Sequence, residues 1–180
     1  MRSFLLAVPL VLLLILGSAV RSAADGPKVL NAHVVGATPN VTIRTVTAGA
    51  APWVVQEGKA MVDPSGRVRV RVRGLLIAAG ALANGDPVPA SLIGTVGPVT
   101  MVSAALTCGG PGGGVPFTIT TTNAVPINAH GDFSINARIT LPTTCDRPIL
   151  LIRIGDATAG GPFIALAQPF FERGEDDDDD

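Results

Sequence analysis

The sequence predicts an all-β chain, a single antiparallel β-sandwich of Greek-key or Ig-like type. Three observations predict it. No stretch of ten or more residues carries apolar spacing of three and four free of Gly or Pro, which removes long amphipathic helices. The apolar runs are short and rich in Val, Ile and Thr. Turn formers separate nearly all of them, as in Asp63-Pro64-Ser65-Gly66, Asn84-Gly85-Asp86-Pro87 and Ala129-His130-Gly131-Asp132. Short strands punctuated in this way belong to sandwiches and barrels.

The chain divides into three parts. Residues 1–24 have the anatomy of a signal peptide: Arg2, an apolar run from Phe4 to Leu16 broken only by Pro9, then small residues ending in Ser22-Ala23-Ala24. A spanning helix needs about 20 predominantly apolar residues, and this run is shorter and is followed by Gly17, Ser18 and Arg21. Cleavage near Ala24 would leave no segment able to span a membrane, so the expected location is secreted, extracellular or in the cell envelope. Residues 25–173 form the expected β-sandwich domain, long enough for one domain with its own core. Residues 174–180 are an acidic tail, expected to be disordered because like charges repel and no apolar face is present to bury.

Within the domain, strands are expected at Lys28–Val35, Val41–Thr47, Trp53–Val62, Arg67–Ile77, Ser91–Val96, Val99–Cys108, Phe117–Thr122, Asp132–Leu141, Ile149–Ile154 and Phe163–Phe171. Phe133, Ile135, Ala137, Ile139 and Leu141 alternate with Ser134, Asn136, Arg138 and Thr140, the pattern of a strand with one wet face. Residues 149–154 are apolar on both faces except at Arg153, which predicts a central strand. Asp63-Pro64-Ser65-Gly66 is expected to turn the Trp53 strand back onto the Arg67 strand as a hairpin. Two cysteines fall in the domain, Cys108 and Cys145. Outside the cytoplasm an even count predicts a disulfide. It would close a loop of about 38 residues, worth roughly 4 kcal/mol in the chain-entropy model. The competing arrangement is a metal site with His33 and His130. It lacks the C-x₂-C and H-x₃₋₅-H spacings of zinc, and no metal or cofactor is expected.

The runs APWVVQEGKAMVDPSGRVRVRVRGLLI, GPVTMVSAALTCGG and GDFSINARITLPTTCDRPILLIRI resemble a group of small secreted bacterial proteins of all-β type with one cysteine at each of two strand ends. The resemblance covers about half of the domain. It implies the fold class and a cystine, and brings no activity, cofactor or catalytic residue. The aspartate tail and the glycine-rich loop fall outside it.

No catalytic constellation is assembled in the sequence. G-x-S-x-G is absent. His33 lies inside an expected strand and His130 in a turn, where neither is placed as a general base. Asp132 follows Gly131 in a turn and Asp146 sits between Cys145 and Arg147, so turn formation and local ion pairing account for both. The loop Cys108 to Pro116 is glycine-rich, but no Lys-Ser/Thr and helix follow as a phosphate loop requires. Trp53 is expected to pack rather than to stack on sugar. Asn40-Val41-Thr42 is a glycosylation sequon that matters only in a host that reads it. Scarce aromatics and no Tyr argue against single-stranded nucleic acid as a partner.

The strongest candidate site is SGRVRVRVRG at 65–74. Arg67, Arg69, Arg71 and Arg73 alternate with valines, so all four point to one side of a strand and span roughly 20 Å. From Asp25 onward there are 11 Lys plus Arg against 14 Asp plus Glu. Without Glu175, Asp176, Asp177, Asp178, Asp179 and Asp180 the balance is 11 against 8, a body of +3 masked by its own tail. Guanidinium groups pair with carboxylates and phosphates. The expected function is that of a secreted non-catalytic module binding an anionic envelope polymer or an acidic protein through this stripe. The tail is either a pseudo-ligand for the stripe or a weak, multivalent cation binder. The alternatives are a solvated strand face paired with acids such as Glu57 and Asp63, and a small secreted hydrolase with a site borne on loops.

Overall fold

The computed structural model describes residues 28–109, 118–155 and 161–169. The expected signal peptide, most of the glycine-rich loop and the acidic tail lie outside the described residues. Among the described residues all regular structure is β. In chain order the strands are β1 (Leu30–Gly36), β2 (Thr42–Ile43), β3 (Val46–Thr47), β4 (Trp53–Val62), β5 (Arg67–Ile77), β6 (Met101–Gly109), β7 (Thr118–Thr121), β8 (Val125–Pro126), β9 (Phe133–Arg138), β10 (Asp146–Ile154) and β11 (Phe163–Ala167). No helix of the described residues is long and apolar enough to cross a membrane.

Hydrogen bonding joins nine of these strands into one antiparallel sheet in the order β7-β6-β10-β11-β1-β4-β5-β9, with β8 paired to β6. The sheet curls over its own inner face. Val68, Val70 and Val72 of β5 share one buried cluster with Leu106 of β6 and Leu150 and Ile152 of β10, although β5 and β6 lie far apart along the sheet. Each valine so buried contributes about 1.5–3 kcal/mol. The valines of the alternating stretch thus build the core, and their parity sends the arginines outward. The pattern holds up to Gly74, which adopts φ 64° and is buried. Beyond it the inward positions change from even to odd, to Leu75 and Ile77. A Cβ on Gly74 would lie 2.8 Å from Cβ of Gln56 and would strain the left-handed backbone, so glycine is required where the stripe ends.

The β4–β5 hairpin forms as expected. Gly66 at φ 78° closes the turn, its N–H donating to the Asp63 carbonyl at 3.0 Å. The Asp63 carboxylate accepts from Ser65 N at 2.9 Å, Ser65 Oγ at 2.6 Å and Arg67 N at 3.1 Å. Cys108 and Cys145 form the disulfide, Cα atoms 4.6 Å apart, tying the end of β6 to the start of β10. β10 lies between β6 and β11, the central place expected for 149–154.

Two expectations are corrected, and one strand is added. Ser91–Val96 is not a strand. Gly94 and Gly97 take positive φ, and the segment folds into turns in which Leu92 N donates to Pro89 O and Thr95 N to Leu92 O. Val41–Thr47 is not one strand but the β2–β3 hairpin, with Arg44 (φ 46°) and Thr45 (φ 71°) as its two turn residues. Both positive φ values are those of a type I′ turn, which usually takes Asn-Gly. β8 is a short strand with no alternation long enough to reveal it.

The hairpin covers the outer face of β6, β10 and β11. Val46, with Ile43 beside it, packs against Ala105, Leu151 and Phe163. Arg44 fastens it: Nη1 donates to Thr107 Oγ1 at 3.0 Å and Nη2 to the Arg147 carbonyl at 2.5 Å. Partial burial, and secondarily the Arg147 charge, hold the Arg44 pKa below its usual value.

Candidate functional site

The register of three strands assembles the site. β4 and β5 pair so that Glu57 faces Arg73, Lys59 faces Arg71 and Met61 faces Arg69. On the other edge of β5, Ser134 faces Arg71, Asn136 faces Arg69 and Arg138 faces Arg67. β1 extends the second row, with His33 opposite Lys59. All four arginines of the stripe therefore lie on one outward face. Arg69, Arg71 and Arg73 are exposed and Arg67 is half-buried.

Formal charges on this face are six cations, Lys59, Arg67, Arg69, Arg71, Arg73 and Arg138, against Glu57 and the turn residue Asp63. The net of +4 exceeds the +3 excess of residues 25–174 as a whole. Two like-charged pairs, Lys59 with Arg71 and Arg67 with Arg138, stand directly across strands, an arrangement that destabilises a sheet.

Few local partners offset this. Arg73 Nη1 lies 3.5 Å from Glu57 Oε2, with both side chains well exposed, so the pair is screened and weak. Arg67 Nε donates to Asn136 Oδ1 at 3.3 Å. Among the described residues Lys59, Arg69 and Arg71 make no hydrogen bond or ion pair through their side chains. Asp63 is engaged by its own turn. The Ser65 hydroxyl and the Arg67 amide are the largest influences holding its carboxyl below the usual range, and the Arg69 charge adds to them. Lys59 is the residue that sequence reading missed. The turn at Asp63–Gly66 held the signal, because it sets the register that brings residue 59 opposite 71.

A groove of about 630 Å³ follows the face, bordered by Lys59 and Met61 on β4 and by Ser134 and Asn136 on β9. A smaller hollow of about 240 Å³ continues from Arg71 and Arg73 toward Asp132 and Phe133. Its charge and open form suit an extended anion rather than a small enclosed substrate.

The other candidates fall elsewhere. Asp132 Oδ1 accepts from Gly74 N at 3.0 Å, and Asn128 Oδ1 accepts from His130 N and Asp132 N, so this cluster is turn chemistry. Asp146 pairs with Gly109 at the start of β10. Among the described residues, His33, His130, Asp132 and Asp146 make no hydrogen bond to one another. Trp53 is buried in the core. Asn40 Nδ2 donates to the Ala83 carbonyl at 3.1 Å. Among the described residues no group of three or more His, Cys, Asp or Glu side chains could hold a metal. Glu175 to Asp180 lie outside the described residues.

Compared with protein-family models, with curated proteins and with solved structures, the chain matches none.

Proposed function

We propose that this is a secreted, non-catalytic binding protein of the extracellular space or cell envelope, and that the face carrying Lys59, Arg69 and Arg71 docks an anionic polymer. The observation that carries the reading is the two like-charged cross-strand pairs flanking Arg69, neither of which forms an ion pair with an acid among the described residues. Such a face costs stability when empty and gains it when an anion arrives. The arginines rise about 6.8 Å from one to the next, so successive carboxylates or phosphates of a polymer can each meet a guanidinium. We also read the curled sheet as the two layers of a β-sandwich, since β4 and β5 share a core with β6 and β10.

Immobilised polyphosphate and polyglutamate test the function. The protein is expected to be retained at low salt, and Arg69→Glu with Arg71→Glu to elute at markedly lower salt. Unchanged retention removes the reading. A polymer ligand also requires that long chains bind more tightly than short ones at equal total charge. Equal binding of both, with capture by an acidic protein instead, would replace the polymer by a protein partner.

A further inference from the structure

A second cationic feature lies under the β2–β3 hairpin, and it does not depend on the arginine face. Arg153 of β10 is only 8 % exposed, and its Nε donates to the Gly161 carbonyl at 2.7 Å. No carboxylate pairs with it among the described residues. A buried charge is costly unless paired, and a carbonyl partner leaves the guanidinium charge uncompensated. Directly opposite Arg153 on β6 is Ser103, fully buried, and Ser103 Oγ has no hydrogen-bond partner among the described residues. Cross-strand neighbours place their Cβ atoms about 5 Å apart on one face, so the unpartnered hydroxyl lies at the base of the same face from which Arg153 projects. Arg153 opens onto a hollow of about 440 Å³ that Thr45, Thr47 and Gly161 also line. Thr45 is β-branched yet held at φ 71°, a conformation that persists only where the surroundings impose it.

We propose that this hollow is a binding site for one small oxyanion, a phosphate or carboxylate group, held by the free Nη edge of Arg153 with the Thr45 hydroxyl at the mouth. The guanidinium supplies a two-pronged donor matched to such a group. The Thr45 hydroxyl adds a donor that has no partner among the described residues, whereas the Thr47 hydroxyl is already bonded to Thr42 Oγ1 at 3.3 Å.

Thermal unfolding of the full chain at constant ionic strength, titrated with inorganic phosphate, with acetate and with chloride, tests this. A saturable rise in Tm is expected with phosphate or acetate and not with chloride, and the preferred anion tells phosphate from carboxylate. Arg153→Met should weaken the response at least tenfold. Thr45→Val replaces only a hydroxyl by a methyl on an exposed side chain that lines the hollow, so it should leave basal Tm near the parent's while weakening binding severalfold. That variant keeps the test sharp if Arg153→Met does not fold. Arg69→Glu with Arg71→Glu should leave the response intact. The proposal is overturned by no saturable response, by an equal response in Thr45→Val, or by loss in the arginine-face variant.

Discussion

Arg71→Glu separates the two roles an exposed arginine can have, because its effects on binding and stability are expected to have opposite signs. In the native sheet Arg71 faces Lys59, a like-charged pair. Reversal converts that repulsion into an attraction, and cross-strand charge pairs are worth roughly 0.2–1 kcal/mol each. One repulsion is lost and one attraction gained, so the variant should be as stable as the parent or up to about 2 kcal/mol more stable. A docked polymer meets the reverse situation. One attraction disappears and one repulsion appears, each about 0–1 kcal/mol at an exposed site. The loss reaches about 2 kcal/mol, or roughly thirtyfold in affinity. The assay pairs salt elution from a polyanion column with urea unfolding of the same preparation. Weaker retention with equal or higher stability fits the reasoning. Unchanged retention with higher stability would refute it and leave Arg71 as a solvated strand residue. A fall in both would trace the effect to lost packing of the arginine stem.

Other parts of the account are open to simpler tests. Asp63 has a depressed carboxyl pKa, so its contribution to the β4–β5 turn is present above the unfolded value of about 3.9 and is lost as pH falls through the lower folded value. The Tm gap between the parent and Asp63→Ala, followed from pH 7 to pH 2, should close only below that unfolded value. Replacing Cys108 and Cys145 by serine should cost about 2–5 kcal/mol in urea unfolding, and a reductant should then have no further effect. Removing Glu175 to Asp180 should raise polyanion retention at low salt, with the difference fading as salt shortens the screening length. Equal retention at low salt would show that the tail does not compete for the arginine face.

The β4–β5 hairpin was readable to the residue, because three cues agreed there. Val and Arg alternate, Asp63 to Gly66 form a recognisable turn, and the valines supply the inward face. The other side of the site was harder to see. Lys59 has no local signal of its own, and its place opposite Arg71 exists only once the register is known. Ser91–Val96 looks like a strand by composition, yet Gly94 and Gly97 turn the backbone away from extended geometry. The β2–β3 hairpin was hidden because Arg44 and Thr45 are poor type I′ residues, and their conformation is stabilised by contacts with Thr107 and Arg147 more than 60 residues away. Arg153 was legible as the one charge in a central strand. Its burial depends on a hairpin that local pattern does not disclose.

The most direct test of the central claim is arginine and lysine side-chain NMR during titration with polyphosphate. The account predicts that the Nε–Hε signals of Arg69 and Arg71 and the ammonium signal of Lys59 shift first and furthest, and that added salt reverses the shifts. Signals of this face that stay fixed while the polymer binds elsewhere, or no binding at all, would contradict it.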